Sequence, residues 1–143
     1  MSGLDNLFSG MRIAASALTA ERTHIDIIAE NIANARTTRT AEGGAYRRKQ
    51  VLFEPILDER MGHENMVKGV QVSEILEDHQ TPFTRIREPD HPDADEQGFV
   101  DYPNVNTVIE MADLVTAMRA YESNVAAQEN YVRMAERALR LAQ

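Results

Sequence analysis

Apolar residues recur at helical spacing at both ends of the chain. Leu4, Met11, Leu18, Ile25 and Ile32 stand seven residues apart, and Leu7, Ala14, Ile28 and Ala35 form a companion row three residues on, broken by Glu21. Five heptads of this kind, with no proline from Ser2 to Arg36, predict a helix of roughly 50 Å, with Ser2 or Asp5 as cap and Gly10 as a mild weak point. The C-terminal end repeats the design. Met111, Met118, Val125, Val132 and Leu139 are seven apart, and Leu114, Tyr121, Ala135 and Ala142 accompany them, with Gln128 as the polar exception. Pro103 lies just upstream, so Asn104 or Asn106 is the expected N-cap of a helix running from about Thr107 to the end. Val115, on the same apolar surface, joins the residues expected to pack.

The middle follows a different period. Glu42–Gly44 is a turn signal, Tyr46–Pro55 ends in a β-type run, and Lys68–Leu76 alternates through Val70 and Val72. "PFTRIRE", from Pro82, alternates again, and then Pro89, Pro92 and Pro103 punctuate a loop. Arg60–Asn65 is polar and without period, as in a hairpin tip. The expected fold is mainly α with a small β element. Two long heptad helices pack antiparallel in a coiled-coil-like unit (1–36 and 107–143), and short strands and a proline-rich loop (37–106) lie between them.

Two helices cannot cover all the apolar surface this pattern creates. Val108–Ala142 holds 21 apolar residues in 35, where a strict two-in-seven seam uses ten, and Leu4–Ala35 holds 17 in 32. The surplus must meet other helices, and in a chain of 143 residues these come from other subunits. Assembly is therefore the expected activity. The pattern alone leaves a non-polymerising coiled-coil adaptor as an alternative.

Charge sharpens this picture. The net charge of −8 is unevenly spread: residues 1–50 carry seven basic and five acidic side chains, 51–110 four and fourteen, and 111–143 four and four. An acidic chain is a poor partner for phosphate, so no nucleic acid is expected. The basic run Arg36, Arg39, Arg47, Arg48 and Lys49 is expected to pair with the acidic middle segment of a neighbour. The chain has no cysteine, which excludes disulfides and thiolate chemistry. No apolar run approaches a membrane span, and no basic-then-apolar leader opens the chain, so neither membrane insertion nor a cleaved signal peptide is expected.

Candidate chemistry concentrates in "HPDADEQG", His91–Gly98. Asp93, Asp95, Gln97 and Gly98 begin like a calcium loop, but the twelfth position, which must be a bidentate Glu, is Asn104, and Pro92 and Pro103 deny it flanking helices. No nucleophile elbow, phosphate loop or zinc-binding histidine pair is present, so no enzymatic activity, metal or cofactor is expected. Asp93 and Asp95 are expected to hold backbone amides in turns or to meet a neighbour's arginine. Asn31 and Asn34 lie on one helix face. Two readings stand level for them: a helix cap with a solvated amide, or an amide pair that fixes register against a neighbouring helix.

The quoted motifs resemble those of the bacterial flagellar basal-body rod proteins. "ASALTAERTHIDIIAENIANARTT" (Ala15–Thr38), "EGGAYRRKQVLFEP" (Glu42–Pro55) and "DHPDADEQGFVDYPNVNTVIEMADLVTAMRAYESNV" (Asp90–Val125) carry the likeness in order, leaving mainly Ile56–Glu88 unmatched. Ala17 stands where that family usually has Gly, Glu30 where it has Asn, and Ala45 where Pro is common. The resemblance implies a structural rod subunit, without a cofactor, exported by the flagellar type III apparatus. It would assemble helically in the periplasm with copies of itself and other rod proteins, transmitting torque and enclosing the export channel. It implies helix packing or subunit contact for Leu4, Met11, Leu18, Ile25, Asn31, Ile32, Asn34, Met111, Val115, Met118, Tyr121, Val125, Val132 and Leu139. Arg47, Arg48, Asp93, Asp95, Asn104 and Asn106 are then neighbour-contact loop residues.

Overall fold

The computed structural model describes the backbone of residues 3–57 and 67–141, with side chains from Phe8 on. The side chains of Leu4 and of the cap candidate Asp5, and the whole of the cap candidate Ser2, the tip Arg60–Asn65 and Ala142, lie outside what is described. Six elements follow in order: α1 (Gly3–Ala33), β1 (Lys49–Leu57), β2 (Val67–Glu77), β3 (Thr84–Arg87), β4 (Phe99–Tyr102) and α2 (Thr107–Leu141). The mainly helical fold with a small β element is as expected. No described helix is long and apolar enough to cross a membrane.

α1 stops three residues earlier than its pattern suggested. Asn34 takes the role of terminator: its amide donates to the Glu30 carbonyl at 2.9 Å, and its Oδ1 accepts from the Thr37 hydroxyl at 3.1 Å. α2 starts where expected, and Asn106 is the cap, its Oδ1 accepting from the amides of Val108 and Ile109.

The helices run antiparallel, and two contacts fix their alignment. Tyr131 lies over Gly10, where an added Cβ would sit 2.6 Å from the ring, so a side chain there would have to displace the ring. At the other end Asn31 bonds Glu110. Gly10 to Asn31 and Glu110 to Tyr131 are equal steps of 21 residues, about 31 Å of helix on each side. Between them the buried residues are small or aliphatic: Ala14, Ala20, Ile27 and Ile28 on α1, and Ala117 on α2. Small side chains let the two backbones approach closely.

This alignment corrects the predicted seam. Met111 (54% exposed), Met118 (47%) and Leu139 (64%) point outward, as do Val115 and Val132, while Tyr121 and Val125 are half-buried. The fully buried α2 positions are Glu110 and Ala117, one residue before Met111 and Met118. One residue is a 100° turn of the helix, so choosing the larger apolar row over its smaller neighbour selects the wrong face. On α1 the predicted row is half in: Met11, Leu18, Ile25 and Ile32 are all half-buried. The expected heptad coiled-coil packing through these rows is not what joins the two helices.

The β residues form two separate antiparallel pairs, β1–β2 and β3–β4. β4 lies in the stretch expected to be loop, because four residues, Phe99–Tyr102, are too few to show a period. In β2 two extra residues, Ser73 and Lys68, break the register opposite Leu52/Phe53 and Ile56/Leu57. Such bulges bend and twist a strand. The hairpin lies on α1: the Ser16 hydroxyl donates to the Ile13 carbonyl and accepts from the Val70 amide at 3.1 Å, and a side chain at Gly69 would overlap it. Phe53 meets the His24 ring edge-on, centroids 5.4 Å apart.

Candidate subunit interface

The molecule offers two distinct kinds of site: a buried polar cluster that joins all its parts, and an outward apolar face. The cluster is built around Asn31 and Glu110, 1% and 0% exposed. Asn31 Nδ2 donates to the Lys49 carbonyl at 2.9 Å and to Glu110 Oε2 at 3.0 Å. Its Oδ1 accepts from the Lys49 amide and the Tyr46 hydroxyl, both at 2.9 Å. The carboxamide thus pairs with both backbone groups of Lys49, as a neighbouring strand would, and uses both donors and both lone pairs. Glu110 Oε1 accepts from Arg48 Nε at 2.6 Å, and Arg48 Nη2 lies 3.8 Å from Asp113. Burial holds the Tyr46 hydroxyl well above the usual phenol range, with Glu30 and Glu110 adding to the effect, so it stays a neutral donor.

Asn104 forms a second node beside the first. Its Oδ1 accepts from the Arg48 amide at 2.8 Å, and its Nδ2 donates to the carbonyls of Asp78 and Thr81. Arg47 donates to the Asp78 carbonyl and stacks on Phe83, 4.2 Å from its centroid. Lys49 Nζ reaches Glu30 Oε1 at 2.6 Å. Asn31 and Asn34 therefore divide the readings between them. Asn31 ties the helix to other elements, and Asn34 is the cap. The register partner is α2 of the same chain, through Glu110, whose signal in the sequence was one acidic residue in the first turn of an apolar helix.

Several members of the basic run and of the acidic loop find partners inside the chain. Arg48 meets Glu110, and Arg39 comes to 3.5 Å of Asp93 Oδ1, while Asp93 Oδ2 accepts from the Thr38 hydroxyl at 2.8 Å. Asp95 Oδ1 accepts from the amides of Gln97 and Phe99, and its other oxygen pairs with Arg85, which also lies over the Phe99 ring. Among the described residues no three histidines or carboxylates converge as a metal site would require.

The amide of Phe99, then that of Gln97 and the Arg85 charge, hold the Asp95 carboxyl below the usual carboxylate range. A depressed pKa contributes order that is present above the ordinary aspartate value and is lost as pH falls through the lowered one. The Asp95–Phe99 turn is thus expected to persist at mildly acid pH and open only below the ordinary range. An NMR titration following the Phe99 amide checks this; a midpoint at or above the ordinary aspartate value would count against it.

The outward face lies mainly on α2. Val108, Met111, Val115 and Met118 fall at steps of three and four residues, all close to half exposed or more. Val132, Met134, Leu139 and Leu141 continue large apolar exposure toward the C-terminus, and Phe8 and Ile13 add to it on α1.

Comparison with known proteins decides what carries such a face. The chain is 40% identical over 146 residues to the flagellar basal-body rod protein FlgC of Bacillus subtilis, covering 94% of this chain and 97% of that one. The chain belongs to the FlgC family of flagellar basal-body rod proteins. The FlgC of Borreliella burgdorferi is 40% identical over 136 residues, covering 82% of this chain and 86% of its own length. That of Agrobacterium fabrum is 41% identical over 123 residues, 85% of each. Residues 11–39 match the family described as flagella basal body rod protein, and residues 96–141 the flagellar basal body rod FlgEFG protein C-terminal family. The two matched segments hold both ends of the polar cluster, Asn31 and Asn104 with Glu110.

Proposed function

We propose that this chain is a structural, non-enzymatic subunit of the flagellar basal-body rod, assembling with copies of itself and with other rod proteins. The carrying observation is the outward apolar row Val108, Met111, Val115 and Met118, left uncovered by the chain's own fold. Contiguous apolar surface of this kind marks an interaction site, and FlgC relatives are rod proteins by name. Contacts between unlike faces of successive copies do not close on themselves, so they build a helical array. The terminal helices are then the packing elements of the rod, and the β pairs and acidic loop lie on its other face. Such an array transmits torque along its axis and encloses the path of exported subunits. The chain reaches the periplasm through the flagellar type III export apparatus.

Cells carrying an epitope-tagged copy provide the test. Basal bodies purified from them are expected to hold the tag in the rod, by mass spectrometry and by labelled-particle imaging. A motile strain whose basal bodies lack this chain would overturn the proposal.

A further inference from the structure

The contact faces of α1 and α2 repeat at intervals of seven. Between Gly10 and Asn31 the heptad steps fall on Ala17 and His24, and between Glu110 and Tyr131 on Ala117 and Asn124. A slip of seven residues, about 10.5 Å, would set Gly10 against Asn124 and Ala17 against Ala117 in one direction, and Gly10 against Ala138 but Ala17 against Tyr131 in the other. Hydrophobic burial is non-directional and discriminates weakly between such alignments. What differs between them is the polar chemistry. After a slip, Asn31 would stand against Ala117 or beyond the start of α2, and Glu110 would lose the Asn31 amide.

We infer that the buried Asn31–Glu110 hydrogen bond, anchored by Lys49, Tyr46 and Arg48, is the register selector of the helix pair. It thereby determines which apolar row of α2 is left facing outward. The argument is energetic. In the native alignment the Asn31 carboxamide has all its partners, and both Glu110 oxygens are engaged. In the slip that sets Ala17 against Ala117 the buried Asn31 carboxamide loses its bond to Glu110, and the carboxylate exchanges that amide for the His24 ring, at a cost that apolar contacts do not return. Polar residues at one position of a helical seam fix alignment in this way, at some expense of stability. The lock is also three-way. Asn31 holds β1 through Lys49, and Glu110 holds the segment before β1 through Arg48, so a slip of either helix would strain the hairpin root. Gly10 and Tyr131 meet at the far end in the same alignment. Their contact is steric: it opposes the slip that would set Ala17 against Tyr131, and the opposite slip, which sets Ala17 against Ala117, is left to the polar bond. The consequence for the outward row rests on the assembly reading above; the register claim does not, so the test uses the free chain.

The chain lacks cysteine, so engineered pairs report alignment directly. Ala17 and Asn124 each lie seven residues inside the Gly10–Tyr131 contact and mark the native register. Ala17 and Ala117 mark the slip. In purified full-length protein with otherwise native sequence, oxidation should trap Ala17→Cys with Asn124→Cys and not Ala17→Cys with Ala117→Cys. Adding Asn31→Leu and Glu110→Leu should make the slipped pair trap at least about tenfold more, the scale set by losing a net hydrogen bond, with helix content by circular dichroism retained. Glu110→Gln covers the case in which the leucine pair does not fold. Whichever way its amide turns, it loses one bond of the cluster without changing volume, and it too should raise slipped trapping. Native-only trapping in the folded leucine variant, or in Glu110→Gln if the former is unfolded, would overturn the inference.

Discussion

Asn31→Ala should remove a large share of the stability of the free chain. The change strips partners from the Tyr46 hydroxyl, from both backbone groups of Lys49 and from one oxygen of Glu110, which is 0% exposed. Breaking a buried charged network from one side costs about 3–5 kcal/mol, against a total of roughly 5–15 kcal/mol for a domain. Urea unfolding monitored by circular dichroism measures the loss. Asn34→Ala is the control. Its side chain bonds only the Glu30 carbonyl and Thr37 at the helix end, so its removal is expected to cost about 1 kcal/mol, the scale of a typical net hydrogen bond. Equal losses at the two asparagines would refute the central role of the cluster.

The second large effect separates folding from assembly. Met118→Asp and Val132→Asp sit at exposed positions, so each should leave the free chain's stability within about 0.5 kcal/mol. The same substitutions should abolish motility. In the proposed assembly those positions are covered, and an unpaired charge there would cost several kcal/mol, on the order of the cost of burying a polar group without a partner. The pair of measurements, urea midpoint and swarming, defines the face: unchanged midpoint with lost motility. Val125→Asp, at a half-buried position, is expected to lower both. Normal swarming of Met118→Asp would take that position out of the interface.

Much of the fold was legible because its signals are local. Proline-free heptads announced both helices, and Pro103 followed by asparagines announced the start of the second. The Val70 and Val72 alternation announced a strand. Where the chain offered short or ambiguous signals, the reading failed for identifiable reasons. Four residues of β4 carry no period, and their pairing with β3 is a non-local fact. The row Met111, Met118, Val132 was taken for the seam because large apolar side chains weigh most in a pattern. The close-packed seam here prefers alanine and glycine, which let the helices approach and leave the larger residues for contacts outside the chain.

The polar cluster was the hardest feature to foresee. Its members are spread over 79 positions, from Asn31 to Glu110. Nothing in a one-dimensional pattern says that an arginine in a basic run will meet a glutamate in the first turn of a distant helix. The loop His91–Gly98 is the converse case. Its carboxylates act over short range, Asp95 on Gln97 and Phe99, and a turn with backbone-bonding aspartates was already readable from their spacing.

By itself the sequence determined the elements and the need for partners: two long helices, a small β middle, and more apolar helix surface than one chain can bury. Its motifs also carried the family. Tertiary structure alone decided which face of each helix turns inward. A periodic apolar pattern is satisfied by several rotations and by slips of seven residues, and hydrophobic burial scarcely distinguishes them. The choice falls to directional groups, the amide of Asn31, the carboxylate of Glu110 and the close fit of Tyr131 on Gly10, whose partners exist only once the chain is folded.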